Sequence, residues 1–547
     1  MRGGLSSWRG AKMTPEADET NGHRRRRKLT LLVTVWAVLA AAMILLARQN
    51  LSVPGLYYDE AVFAGMAKDF ITGNVHGEHM PDHQVVRLAG RPFPLFIQTY
   101  LGTLKSWMLI PAFRIFGPTV AVLRATTLFW SLIALLLLML GIWRWLGLAT
   151  ALIAGALLAF DPTFFFLSVL DWGVAVPSFL CRCACFYFTI RWNQKRKLRD
   201  AFFVGLFAGL GFFNKADFAV FLIAVSLAAV FCYWRQLVAA IRQHSSAVAL
   251  ACLGFALGAG PMLLKIPRMF ALTISGPHPN APGEMTTKLK TMLSMYDGSH
   301  FYRLMNVGGV FERMYEGSSG PKVAIGIAFI LICVAFCGLA YRRRIVKPRA
   351  IAFLIVAMLL VTIGVFLLPD AVRIHHGFLV YPFPQLIIAA LFSLLWGRKI
   401  LVRVVAILAI AIVCGSGLRT IAGTQKLIRE TGGRGRWSKS FDKFCRENRN
   451  RSDLTIVSLD WGFNEQLIFL TCTPQLAEPF WEFNQTLPPL PSNPNYIYLA
   501  HPAEYSVLKY DVAYLNQLQK NGANAEITPH FDRQNEVAFY TIRFRPQ

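Results

Sequence analysis

Along most of the chain, apolar residues run on for about twenty positions at a time, the length of a helix that crosses a bilayer. Short stretches rich in Lys and Arg break the runs. The pattern predicts about eleven spans, at 29–48, 119–141, 146–166, 172–190, 198–213, 217–234, 247–266, 322–341, 350–368, 378–396 and 402–421. Basic segments must then alternate sides. The N-terminal tail, "WRW" (143–145), "RWNQKRKLR" (191–199), "WRQLVAAIRQH" (234–244), "YRRRIVKPR" (341–349) and "WGRKILVR" (396–403) all fall on one side under this threading. Fusing 198–234 into one span would flip everything downstream, so charge parity predicts two spans joined at "NKAD" (Asn214–Asp217).

Three larger segments lie on the other side: loop 49–118, loop 267–321 and the tail 422–547. The tail changes character. "LTIVSL" (454–459), "YIYLA" (496–500) and the alternating "EVAFYTIRF" (536–544) predict strands, and 504–522 predicts a helix ending at Gly522. The expected fold is an all-α polytopic membrane protein with a small α/β extracytoplasmic C-terminal domain. Its parts are a basic cytoplasmic tail (1–28), a membrane domain (29–421) and the outer domain (422–547). The four-residue string "LDWG" occurs at 170–173 and again at 459–462, with unrelated flanks.

Composition agrees. Of 547 residues 55% are hydrophobic and 16% charged, and the formal charge of +26 sits in loops between apolar runs. That distribution speaks for the positive-inside rule and against nucleic acid. Ten cysteines form no framework; Cys445 and Cys472 would be able to pair only in an oxidising compartment.

The ionisable residues at the outer ends of the spans are the candidate chemistry, because such groups are costly at membrane depth and face protein or a wet cavity. Asp59 and Glu60 open "DEAVFAGMAKDF", whose apolar Val62, Phe63, Met66 and Phe70 fit an interfacial helix. A structural reading competes: Asp59 as a helix N-cap and Glu60 as complement to the helix dipole. Arg91, Asp171, Lys215, Arg373, His375, His376 and Tyr381 complete the constellation. Each has a plainer role as snorkelling cation, cap, turn pair or belt aromatic. "HGEHMPDH" (76–83) gathers possible metal ligands, but Pro81 breaks the helix their spacing needs, so no metal is expected.

"YYDEAVFAGMAKDF" (57–70), followed by "GRPFPLFIQTYLG" (90–102), resembles the first outer loop of the GT-C glycosyltransferases, in the branch of protein O-mannosyltransferases and aminoarabinose lipid A transferases. "FDPTFFFLSVLDWGVAVPSF" (160–179), "GLGFFNKADFAVFLIA" (209–224) and "HHGFLVYPFPQLIIAAL" (375–391) resemble later motifs of that family, in order. Arg91 stands where many relatives carry Lys, and the C-terminal domain has no recognisable signature. The resemblance implies a polyprenyl-phosphate sugar donor, a protein, lipid or glycan acceptor, inversion at the anomeric carbon and no cofactor, a divalent cation being the less favoured variant. It implies Asp59 as general base with Glu60 assisting. Arg91, Lys215, Arg373, His375 and His376 would hold phosphate, and Asp171 and Tyr381 would touch sugar, acceptor or phosphate. It also implies a bacterial inner membrane with the N-terminus cytoplasmic. A transporter, or a GT-C oligosaccharide ligase or polymerase, is the alternative; charges gathered at one rim without repeated halves speak against transport.

Overall fold

The computed structural model describes residues 15–79, 82–170, 172–269, 283–323, 348–395, 400–479, 495–508, 512–513, 516 and 524–545. Helix α1 (Pro15–Ala47) leads to α2 (Tyr58–Thr72) and a small antiparallel sheet of β1 (Gln84–Leu88), β2 (Arg91–Gln98) and β3 (Leu101–Gly102). Then follow α3 (Leu104–Phe116), α4 (Val120–Trp145), α5 (Leu148–Ala159), α6 (Pro162–Leu170), α7 (Ala175–Lys195), α8 (Leu198–Asn214), α9 (Phe218–Gln243) and α10 (Ser245–Leu263). After these come α11 (Glu284–Tyr296), α12 (His300–Asn306), α13 (Pro348–Leu367), the short α14 (Ile374–Gly377), α15 (Phe383–Leu395) and α16 (Ile400–Thr431). The chain ends in α17 (Lys439–Glu447), β4 (Thr455–Ser458), α18 (Asn464–Leu470), β5 (Gln475–Ala477), β6 (Tyr496–Ala500), β7 (Asn524–Phe531) and β8 (Val537–Arg545).

Among the described residues seven helices are long and apolar enough to cross a membrane, or eight if a bent pair counts as one span. The expected eleven differ from this for physical reasons. The segment 146–166 is no straight span: α5 and α6 meet at 64°, because Asp161 and Pro162 interrupt the helix and Asp161 Oδ1 accepts the amide of Phe164 at 2.9 Å. α8 has only 17 residues, and α7 carries Arg182 in its middle. Most of 322–341 lies outside the described residues. The split at Asn214–Asp217 is present, with Lys215 extended between α8 and α9. α8 and α10 approach closely: a Cβ at Gly205 or Gly209 would collide with backbone of Ala251 or Phe255.

α16 runs ten residues past the expected boundary and enters the C-terminal domain at Thr431. That domain holds a five-stranded sheet in the order β5-β4-β6-β8-β7. β4 pairs in parallel with β5 and β6, while β8 is antiparallel to β6 and β7. The strands expected at 454–459, 496–500 and 536–544 are there; β7 and β5 had no clear alternation to announce them. The expected helix does not begin at Glu504, since Ala503–Tyr505 form a turn and Val507–Leu508 a bend; residues 512, 513 and 516 are helical, and the rest of it lies outside the described residues. Cys445 and Cys472 are both free, one buried and one exposed.

The C-terminal domain grips α2. Lys68 donates from Nζ to the carbonyls of Ile468 (2.8 Å), Phe469 (3.1 Å) and Thr471, ending α18. His79 bridges Asp69 of α2 (2.8 Å) and Glu465 of α18 (2.9 Å) in a buried cluster. The two carboxylates outweigh the cost of burial and raise His79 to about 10. So His76 and His79 of "HGEHMPDH" act as fasteners: His76 meets Thr471 Oγ1 at 2.8 Å.

Candidate active site

The site begins with a turn. Tyr57 is extended and precedes α2, and Glu60 accepts the amide of Tyr57 at 3.1 Å, closing a capping box. Glu60 is fully buried and accepts from Arg124 Nε (2.8 Å) and Nη2 (2.7 Å) in a two-pronged pair. The same guanidinium donates to the carbonyls of Asn50 (3.0 Å), Pro54 (2.8 Å) and Gly55 (3.0 Å). Every donor of Arg124's fork is thereby engaged in shaping the turn between α1 and α2. Glu60 is enclosed in that structure, so the expected chemical role is corrected to a structural one.

Asp59 has no part in that fork. It is half-buried at the first turn of α2. Burial pushes its carboxyl up from the usual range, while Arg373, Lys105, Lys215 and Arg436 pull it down. Those four cations come from four separate elements, and the backbone shows how each is held. Lys105 opens α3 and lies 5.0 Å from the Phe63 ring. Lys215 is fixed by a bridge between Leu101 and Lys215 and by the amide of Ala216 donating to Tyr100 at 3.0 Å. Arg373 precedes α14, rests 4.9 Å over Phe311 and stands 3.8 Å from Glu312. Arg436 comes from a tight turn after α16, where its own amide donates to Gly308 at 3.0 Å.

Lys215, Asp217 and His376 form one knot. Lys215 Nζ is 3.3 Å from Asp217 Oδ2, and His376 Nδ1 is 3.0 Å from the same oxygen. Burial lowers Lys215 from its ordinary value, against the pull of Asp217 and Asp59. Burial works against Asp217 too, but Lys215 and His376 prevail and hold it down at about 2. The ring of His375 lies 4.2 Å from that of His376. Below them Arg182 of α7, buried in the bundle, donates from Nη1 to the carbonyls of Phe378 (2.9 Å), Leu379 (2.8 Å) and Tyr381 (2.5 Å). It thus satisfies carbonyls of the 3-10 turn Phe378–Val380 and of Tyr381, which join α14 to α15.

Of the nine expected residues, Asp59, Lys215, Arg373, His375 and His376 converge. Arg91 does not: it donates to the carbonyl of Ile71 at 2.5 Å. That is the far end of α2, about 18 Å from Asp59 at 1.5 Å per residue. Tyr381 does not either: its hydroxyl donates to Asp161 (3.3 Å) and the Met295 carbonyl (3.2 Å) in the buried bundle. Asp171 lies outside the described residues. Sequence reasoning missed Lys105 and Arg436, and it discounted the "LDWG" repeat. Trp172 and Trp461, one from each copy, both pack on Tyr57, at 5.1 Å and 6.0 Å, and Trp437 stacks on it at 4.3 Å. Arg436 lies 5.2 Å over Trp461 and donates to the Tyr505 carbonyl from Nε (3.0 Å) and Nη2 (2.6 Å). The membrane bundle and the C-terminal domain therefore meet at the residue two places before Asp59.

Comparison with known proteins agrees with this architecture. Residues 103–257 match the family model described as dolichyl-phosphate-mannose-protein mannosyltransferase. The fold is similar to that of ArnT from Cupriavidus metallidurans in the apo state, with a TM-score of 0.56 at 13% identity over 94% of this chain and 100% of that one. For the same protein bound to undecaprenyl phosphate the TM-score is 0.56 at 12% identity, over 95% and 99%. The oligosaccharyltransferase of Archaeoglobus fulgidus gives 0.48 at 14% identity, over 83% and 65%. No curated protein sequence matches the chain. In fold and in its matched segment the chain resembles the GT-C membrane glycosyltransferases of protein-mannosyltransferase and ArnT type.

Proposed function

We propose that the protein transfers a sugar from a polyprenyl-phosphate-linked donor to an acceptor hydroxyl at the membrane face carrying Asp59, with inversion and without a metal ion. Asp59 takes the proton of the acceptor hydroxyl as its oxygen attacks the anomeric carbon. The bond from that carbon to the phosphate oxygen breaks, and the electron pair leaves with the phosphate. Lys215, the His375–His376 pair and Arg373 hold that phosphate, where cations stabilise developing charge in a water-poor site. The observation carrying this reading is the half-buried Asp59 carboxylate, within electrostatic reach of four cations where membrane helices, interfacial helix and C-terminal domain meet. ArnT has been crystallised with undecaprenyl phosphate, which supports a lipid phosphate as the donor's carrier; the acceptor is a protein, lipid or glycan hydroxyl.

The test uses proteoliposomes holding the full chain, supplied with polyprenyl-phosphate-linked hexose and pentose donors and a mixed acceptor extract. Labelled sugar should appear in the acceptor fraction only when the protein is present, with the opposite anomeric configuration to the donor. Retained configuration would refute the one-step displacement. Movement of intact donor across the bilayer without transfer would favour transport.

A further inference from the structure

On the membrane face opposite Asp59, cations from four elements converge. Lys195 at the end of α7 is surrounded by the charges of Arg144 (α4), Arg191 (α7), Lys197 (before α8) and Arg25 (α1). Two of these cations, Arg144 and Arg191, are held in place by side-chain contacts, and the exposed Lys195, Lys197 and Arg25 add charge around them. Arg144 donates to Gln194 Oε1 at 3.3 Å, and Gln194 Nε2 returns a bond to the Arg144 carbonyl at 2.9 Å, tying α4 to α7. Arg191 reaches Asp200 at 3.1 Å, tying α7 to α8. That is one carboxylate against five cations. The Nε groups of both Arg144 and Arg191 are buried with no hydrogen-bond partner among the described residues. Guanidinium groups gathered against a single carboxylate favour an added oxyanion, which accepts charge-assisted hydrogen bonds from them.

We propose that this cluster is a binding site for the phosphate-bearing headgroup of an anionic phospholipid in the leaflet facing the N-terminus. The lipid source is favoured because aromatics lie against these cations at the ends of long apolar helices. Arg144 lies 5.9 Å from the Trp143 and Tyr187 rings, and Arg196 4.7 Å from Trp192, as in the aromatic belts that mark headgroup level. Basic pockets between membrane helices take anionic headgroups by this chemistry. The site binds α1, α4, α7 and α8 together at their ends, independently of any sugar transfer.

The full chain is reconstituted in nanodiscs of phosphatidylcholine or of phosphatidylglycerol, and its unfolding midpoint is measured. Phosphatidylglycerol should raise the midpoint by several degrees, and Arg144→Gln/Lys195→Gln should lose most of that rise. A control of equal charge on the same face, Arg235→Gln/Arg242→Gln at exposed positions outside the cluster, should keep it. Should the double variant not accumulate, Lys195→Gln alone, at a fully exposed position, is held to the same criterion. No rise for wild type, or equal loss in cluster and control variants, overturns the proposal. So does full reproduction of the rise by inorganic phosphate in phosphatidylcholine discs, which would make the site one for free phosphate.

Discussion

Asp59 and Glu60 are neighbours, yet removing their charges should have opposite consequences. Glu60→Gln leaves Arg124 fully buried with its charge uncompensated. Two charge-assisted bonds, at 2.8 and 2.7 Å, are lost or weakened, and at about 1.5–3 kcal/mol each their sum is about 3–6 kcal/mol. Breaking one side of a buried ion pair independently suggests about 3–5 kcal/mol. Asp59→Asn removes a carboxylate whose ionisation burial opposes, so stability should hold or rise slightly. The assay is thermal unfolding of detergent-solubilised protein, followed by aggregation or intrinsic tryptophan fluorescence. Glu60→Gln should unfold many degrees below wild type and Asp59→Asn within a degree or two of it. Equal melting of Glu60→Gln and wild type would show that the fork with Arg124 does not hold the turn. Its structural assignment would then fall.

Three further outcomes follow from the same geometry. Lys215→Gln should raise the KM for the lipid-linked donor at least tenfold with a smaller change for acceptor, measured in initial-rate transfer assays, because the proposed mechanism sets its ammonium against the phosphate; equal effects on both substrates would count against that role. Arg91→Ala, at the far end of α2, should leave transfer within a factor of about two and cost about 1 kcal/mol of stability for the lost carbonyl contact, read by the same melts. The His79 bridge to Asp69 and Glu465 has a raised folded-state value of about 10 against an ordinary 6.5. Its stabilisation should thus be complete below about 6.5 and be lost as pH rises towards about 10. His79→Gln should flatten that alkaline fall in melting temperature.

What the sequence made legible was whatever depends on length and order. Runs of apolar residues announce spans, and charge parity separates α8 from α9 at Lys215. Asp59, Lys215, Arg373, His375 and His376 could be grouped because each lies at the same end of a span. Direction was not legible. Whether Asp59 or Glu60 is locked into the turn depends on Arg124, 64 residues away from Glu60 in an apolar helix, where nothing local marks a partner. Arg91 sits in a persuasive motif, but the β1–β2 hairpin turns it towards the end of α2. Arg436 was hidden because its position depends on the turn that links α16 to α17 and on the carbonyl of Tyr505. The "LDWG" repeat was legible as a string and empty as a signal until both tryptophans met on Tyr57.

The most direct test of the central claim is the rate of labelled-sugar transfer by wild type and Asp59→Asn at matched amount and matched melting temperature, followed across pH. A general base contributes about 10²–10⁴-fold, so the variant should fall by that factor. Wild-type activity should decline on the acid side through a pKa above the ordinary carboxylate value of 3.8, in the direction burial imposes on Asp59, and the variant should lose that acid limb. A stable Asp59→Asn protein that transfers sugar at the wild-type rate with the same pH profile would contradict the account.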